Sequence, residues 1–218
     1  MFWCWFAKAG FAVLSLDPQY LGERARPDRK MYSTDIFTGI QAIRQTVLDY
    51  RRGLDFLETR PEINQDAIVY LGGSMGGILG IVIVGEDKRI DAAVITVAGG
   101  SWMGMVRNTI DPAAKEIKKF RVENGLTWDE MQRFFDPVDP INYVGAISPR
   151  PLLMINGKHD IVVSPRTTKN LWRRAGEPKE IWWLNYGHGL PYEELFPKVL
   201  QWLHKVLPAT MVKYGYKH

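Results

Sequence analysis

Residues 67–79, AIVYLGGSMGGIL, restrict the architecture of this chain more than any other stretch. An apolar, β-rich run (Ala67, Ile68, Val69, Tyr70, Leu71) breaks into glycine, a serine follows, and apolar residues that suit a helix come next. Gly72-Gly73-Ser74-Met75-Gly76 fits G-x-S-x-G in its strand-to-helix setting, the nucleophile elbow. A turn this tight at the end of a buried strand strains the serine backbone. It also brings neighbouring chain too close for a Cβ at the flanking positions. The turn lifts the Ser74 hydroxyl above the sheet edge, where the first N–H groups of the following helix point.

The residues themselves argue against two other glycine-rich turns. A phosphate-cradling loop wants Lys-Ser/Thr after its last glycine, and Gly77 is followed by Ile78. A dinucleotide turn wants G-x-G-x-x-G, and counting from Gly72, Ser74 occupies the place of the second glycine.

Strand and helix patterns alternate along the rest of the chain, the sign of an α/β protein with a mostly parallel sheet and helices on both faces. Residues 11–16, FAVLSL, form a continuous apolar run that reads as a buried strand stopped by Asp17-Pro18. A long helical pattern covers about 34–59, with Ile36, Ile40, Ile43, Val47, Tyr50, Leu54 and Leu57 on one stripe. After the elbow strand a helix runs from Ser74 to about Gly85, read as its C-terminal cap. Further strands are expected at 92–98, 152–156 and 180–185, and further helices from Ser164-Pro165 and over about 192–207. Residues 101–148 carry helical signals, including the capping box Thr127-Trp-Asp-Glu130, and no strand.

A chain of 218 residues suits one sizeable core, so a single domain over 1–218 is expected, with 101–148 as a small helical, cap-like insertion. Lys and Arg are scattered and the net charge is only +4, which does not point to nucleic acid. Residues 213–218 read as a solvated basic tail. Cys4 is the sole cysteine, so no internal disulfide is expected and a reducing, cytoplasmic setting suits the chain. Its aromatic surroundings suggest a packed thiol. The N-terminal run lacks the basic start of a secretion signal, and no stretch approaches a membrane span, so no membrane partner is expected.

Three groups are expected at the C-terminal ends of successive strands: Ser74 at the elbow, Asp160 after Gly157, and His188 between Gly187 and Gly189. Serine, aspartate and histidine in that chain order is one known arrangement of a hydrolase triad. Asp17, Asp136 and Asp139 remain alternatives for the acid. His159 adjoins the acid and should point elsewhere, while His204 reads as surface or packing and His218 is terminal. With no H-x-x-x-H or Cys/His cluster, no metal is expected, and no cofactor.

On these residues the chain resembles the α/β-hydrolase superfamily, near the dienelactone-hydrolase-like and esterase/peptidase-like bacterial hydrolases. The matching segments are GFAVLSLDPQYLGER, YRRGLDFLETRPEINQDAIVYLGGSMGG, PRPLLMINGKHDIVVSP and YGHG. The resemblance implies an oxyanion donor at the Met75 N–H and a cap that lines an acyl pocket. Trp102, Met103 and Tyr20 are the candidate pocket residues, and Met105, Trp128, Met131, Phe134 and Phe135 stand in the same insertion. Relatives begin with further strands, one of which ends in a loop that supplies the second oxyanion donor. This chain starts inside what would be the next helix. Losing one such donor costs about 3–4 kcal/mol in the transition state. Two outcomes are expected for the gap: the 11–16 strand pairs directly with the elbow strand, or another subunit fills it. In the second case the aromatic start (Phe2, Trp3, Trp5, Phe6) is partly an interface of a homo-oligomer. In the first, the loop 17–21 supplies the second donor.

Three functions compete: a serine esterase cleaving small soluble carboxylic esters, a prolyl-oligopeptidase-type serine peptidase, and a catalytically silent binding module.

Overall fold

The structure, a computed structural model, describes residues 2–32 and 34–207, with the side chains of Phe2 and Trp3 outside that description. Four strands, β1 (Val69–Gly73), β2 (Ala92–Thr96), β3 (Leu152–Gly157) and β4 (Lys179–Leu184), lie side by side in chain order, and every pairing is parallel. Helix α1 (Phe2–Lys8) opens the chain and α2 (Ile36–Glu58) precedes the sheet. Helix α3 (Met75–Glu86) joins β1 to β2, and α7 (Pro165–Arg174) joins β3 to β4. Three short helices, α4 (Trp102–Asn108), α5 (Ala114–Glu123) and α6 (Trp128–Phe135), lie between β2 and β3, and α8 (Tyr192–Val206) follows β4.

The pleat sorts the core into two layers. Ala93, Ile95, Leu152 and Met154 face a large cluster built with α2, α3, α4, α6 and α7. Ala92, Val94, Leu153 and Ile155 face a smaller one closed by Phe6 of α1 and Leu195, Val199, Trp202 and Leu203 of α8. Right-handed crossovers in a sheet ordered monotonically put α3, the α4–α6 segment and α7 on one face. Helices α1 and α8 cover the other. Strands β2 and β3 are buried at every position, as strands covered on both faces must be.

Local sequence fixes the helix limits. The Asp35 side chain caps α2 by accepting from Thr38 N–H (3.1 Å). The Thr127–Glu130 capping box of α6 forms with both of its hydrogen bonds. Helix α3 is apolar all round and correspondingly buried from Gly77 to Val84. Its C-terminal end is held by Arg150, whose guanidinium donates to the carbonyls of Val84 (2.7 Å), Asp87 (2.7 Å) and Ile90 (3.0 Å).

Several expectations are corrected. Gly85 lies within α3 and does not cap it; a Cβ there would meet the Tyr143 carbonyl oxygen at 2.7 Å, so it permits a close crossing. Residues 11–16 form no strand. The Leu16 carbonyl accepts from the Tyr50 hydroxyl (3.1 Å), and Leu14 and Leu16 lie against Gly53 of α2. Val13 and Leu14 are left 44% and 41% exposed, which rules out a strand covered on both faces. The direct pairing of this run with the elbow strand is overturned as well, because among the described residues β1 pairs only with β2. Cys4 is exposed, since the α1 residue that turns inward is Phe6, edge-on to Phe11 and Phe196. The basic tail lies outside the described residues, and so do the side chains of Phe2 and Trp3.

Candidate active site

Strand β1 delivers Ser74 in a strained conformation, φ 54° and ψ −121°, immediately before α3. The turn is fastened from both sides. Ser74 N–H donates to the Thr96 carbonyl (2.9 Å), and the Ser74 carbonyl accepts from Ile78 N–H (2.9 Å). Below it, Tyr70 sends its hydroxyl to the Gly76 carbonyl (2.7 Å). The two outer glycines of the motif differ. A Cβ on Gly72 would lie 2.5 Å from the Gly76 carbonyl oxygen, whereas a Cβ on Gly76 would meet nothing within 4 Å. Crowding at both outer glycines, expected from the motif, therefore holds at Gly72 and not at Gly76.

Strand β3 ends in Gly157 and β4 in Leu184, and the loops that follow cross closely. Lys158 N–H donates to the Leu184 carbonyl (2.8 Å) and His159 N–H to that of Tyr186 (3.0 Å). The crossing brings Asp160 and His188 together: His188 Nδ1 lies 2.8 Å from Asp160 Oδ2, and His188 Nε2 lies 2.8 Å from Ser74 Oγ. Asp160 is 4% exposed, and its other oxygen accepts from Val162 N–H and Val163 N–H, both at 2.8 Å. A carboxylate can only accept, so the neutral ring presents its Nδ1 proton to Asp160 and its Nε2 lone pair to the serine hydroxyl.

The other acids are engaged elsewhere. Asp17 accepts from Glu23 N–H (2.8 Å), and Asp136 accepts from Gln132 Nε2 (2.9 Å). Asp139 is fully buried and receives four donors: Ser101 N–H (3.0 Å), Trp102 N–H (2.6 Å), Ile141 N–H (2.9 Å) and Gln132 Nε2 (2.7 Å). It thereby ties the start of α4, α6 and the turn before β3 into one knot. His159 turns to Asn185 Oδ1 (2.9 Å).

Met75 opens α3, so its N–H has no helical partner. In the loop 17–21, Gln19 N–H is spent on Thr46 Oγ1 (2.9 Å), Leu21 N–H on the Pro18 carbonyl (3.0 Å), and Pro18 has none. Tyr20 stands there at φ 67°, half-buried, its hydroxyl accepting from Arg29 Nη1 (3.3 Å). Trp102 and Met103 are buried in the larger core, and the Trp102 indole N–H is spent on the Val138 carbonyl (3.0 Å). Among the described residues no group of three or more His, Cys, Asp or Glu is placed to hold a metal ion, and no helix is long and apolar enough to cross a membrane. The sequence reading passed over Thr96 and Tyr192, whose hydroxyls lie 3.2 Å apart beneath the elbow. No local motif announces them.

Solved structures share this fold. An acetyl xylan esterase from Paenibacillus sp. R4 superposes with a TM-score of 0.68 at 27% identity, over 76% of this chain and 54% of that one. Acetyl xylan esterase 1 from Thermoanaerobacterium sp. JW/SL YS485 gives a TM-score of 0.69 at 19% identity, over 83% of this chain and 59% of its own. The Pseudomonas aeruginosa protein PA2218 is 24% identical over 80% of this chain and 58% of its own length. The chain thus spans little more than half the length of these relatives. The sequence profile of the prolyl oligopeptidase family matches residues 4–207. With an α/β-hydrolase fold shared with esterases and that profile matched over nearly its whole length, the chain belongs to the prolyl oligopeptidase family.

Proposed function

We propose that the protein is a serine hydrolase that cleaves short-acyl carboxylic esters through an acyl-enzyme. The observation that carries this reading is the pair of 2.8 Å hydrogen bonds linking Ser74 Oγ, His188 and Asp160. In the proposed reaction His188 Nε2 takes the Ser74 proton as Oγ attacks the ester carbonyl. Asp160 fixes the ring tautomer and stabilises the imidazolium. The tetrahedral oxyanion develops beside the Met75 N–H at the positive end of α3. His188 then returns the proton to the leaving alkoxide, and water repeats the sequence to release the acid. Within the loop 17–21 only Asp17 and Tyr20 keep a backbone N–H for a second oxyanion donor. The two acetyl xylan esterases of similar fold support the choice of short acyl groups.

The family match favours a second reading, a serine peptidase using the same three side chains. Hydrolysis of p-nitrophenyl acetate and of aminoacyl p-nitroanilides by wild type and Ser74→Ala separates the two. Ester turnover that disappears with the serine is the expected result. Turnover of the amides alone would establish the peptidase, and no turnover of either would leave a silent module.

A further inference from the structure

The nucleophile and the general base are joined by a second route, on the underside of the turn. Thr96 closes β2 opposite Gly73, is 3% exposed, and binds the elbow through its backbone, its carbonyl accepting from Ser74 N–H at 2.9 Å. Its side chain reaches the other way, with Oγ1 3.2 Å from the hydroxyl of Tyr192. Tyr192 is the first residue of α8 and stands four positions after His188. Its N–H is fixed on the Leu190 carbonyl (2.9 Å), and Leu190 is buried in the smaller core. Both hydroxyls press on Gly73, the residue before the nucleophile: a Cβ there would lie 2.6 Å from Thr96 Oγ1 and 3.2 Å from the Tyr192 oxygen.

We propose that Tyr192 is a positioning residue, whose hydroxyl, seated on Thr96 beneath Gly73, sets the distance between the His188 loop and the Ser74 elbow. The inference rests on the esterase reading and deepens it. The His188 loop is held on both sides of the ring. The acid side holds the ring through Asp160, and the far end of the loop is held through Tyr192. Removing the Tyr192 hydroxyl takes one hydrogen bond from the chain between His188 and α8 and loosens it against the elbow. A displacement of a fraction of an ångström between nucleophile and base is enough to slow proton transfer.

The test compares Tyr192→Phe, Thr96→Val and Thr96→Ser with wild type, and uses Tyr143→Phe as a stability control. Tyr143 also spends its hydroxyl on a hydrogen bond, here to the Pro137 carbonyl (2.6 Å), away from the site. Three quantities are read: kcat and KM on p-nitrophenyl acetate, the rate of Ser74 labelling by a fluorophosphonate, and the thermal midpoint. Tyr192→Phe and Thr96→Val are expected to lower kcat and the labelling rate together by about tenfold, with KM within about twofold. Thr96→Ser keeps the hydroxyl and the rate. Tyr143→Phe lowers the midpoint comparably and leaves kcat unchanged. Unchanged kcat in Tyr192→Phe, beside an active wild type, overturns the inference, and so does an equal loss of kcat in Tyr143→Phe. A wild type that neither turns over ester nor takes the label overturns the esterase reading, and this inference with it.

Discussion

Gly157 and Gly187 meet back to back: a Cβ added to Gly157 would overlap the Gly187 carbonyl oxygen and lie 2.5 Å from that of Tyr186. Gly157 ends β3 three residues before Asp160, and Gly187 immediately precedes His188. The acid and the base therefore approach because two backbones cross at Gly157, which has no room for a side chain, whereas a Cβ on Gly187 would meet only the His159 carbonyl oxygen at 3.7 Å.

Gly157→Ala is expected to lower kcat/KM on p-nitrophenyl acetate by about 10²-fold, because backbone atoms cannot yield to the new methyl and the two loops must separate. The melting midpoint falls with it. Near-wild-type turnover would show that the loops tolerate separation.

Gly76→Ala is expected to behave oppositely. Its Cβ meets nothing within 4 Å and the position is helical, so alanine should hold or raise stability, by about 0.4–1 kcal/mol. Chemical denaturation reads this directly, and a loss beyond about 1 kcal/mol would contradict the open space above the elbow.

Asp160→Asn keeps the shape but turns the tautomer, since an amide N–H₂ set toward Nδ1 asks that nitrogen to accept. A fall in kcat of about 10³–10⁴-fold is expected, with KM little changed. Steady-state kinetics on p-nitrophenyl acetate read this, and a near-wild-type kcat in the variant would count against Asp160 as the orienting acid.

Acid should weaken the fold through Asp87, at the end of α3. The Arg89 guanidinium, bound at 2.7 and 2.9 Å, holds the Asp87 carboxyl down to about 2 from an ordinary 3.8. A folded value below the unfolded one means a contribution fully present above about pH 4 and lost as pH falls toward 2. Urea melts of wild type and Asp87→Asn should differ at pH 7 and converge near pH 2. A gap that persists at pH 2 would place the stabilisation elsewhere.

Features set by near neighbours were legible before any coordinates. The strand–glycine–serine–helix order of 67–79 needs only local chain, and so do the Thr127–Glu130 capping box and the apolar stripe of α2. Helices on both faces follow from the alternation of strand and helix patterns and from apolar runs such as Leu152–Ile155. What escaped depends on distant partners. Six apolar residues at 11–16 read as a strand because composition records a preference for extended chain, but not whether another strand stands beside it. Here the backbone finds Tyr50 of α2 instead. Gly85 read as a cap for a similar reason, because a glycine near a helix end and one passing under Tyr143 look alike in sequence. Asp160 is the expected acid, and what only distant partners can show is that its alternatives, Asp17, Asp136 and Asp139, are engaged elsewhere. The meeting of Thr96 with Tyr192 spans 96 positions and had no local sign at all.

The knot around Asp139 has a bearing on how this region can vary. Four hydrogen bonds between the start of α4, α6 and the turn before β3 converge on one carboxylate, whose oxygens are fully engaged by N–H groups. The stretch looping out from it leaves and returns at fixed points, and between α4 and α6 only the inner face of α5, with Ala114 and Ile117, is buried in the larger core. Its length and surface can therefore be rewritten without disturbing the sheet beneath, much as an interchangeable head is swapped on a fixed handle.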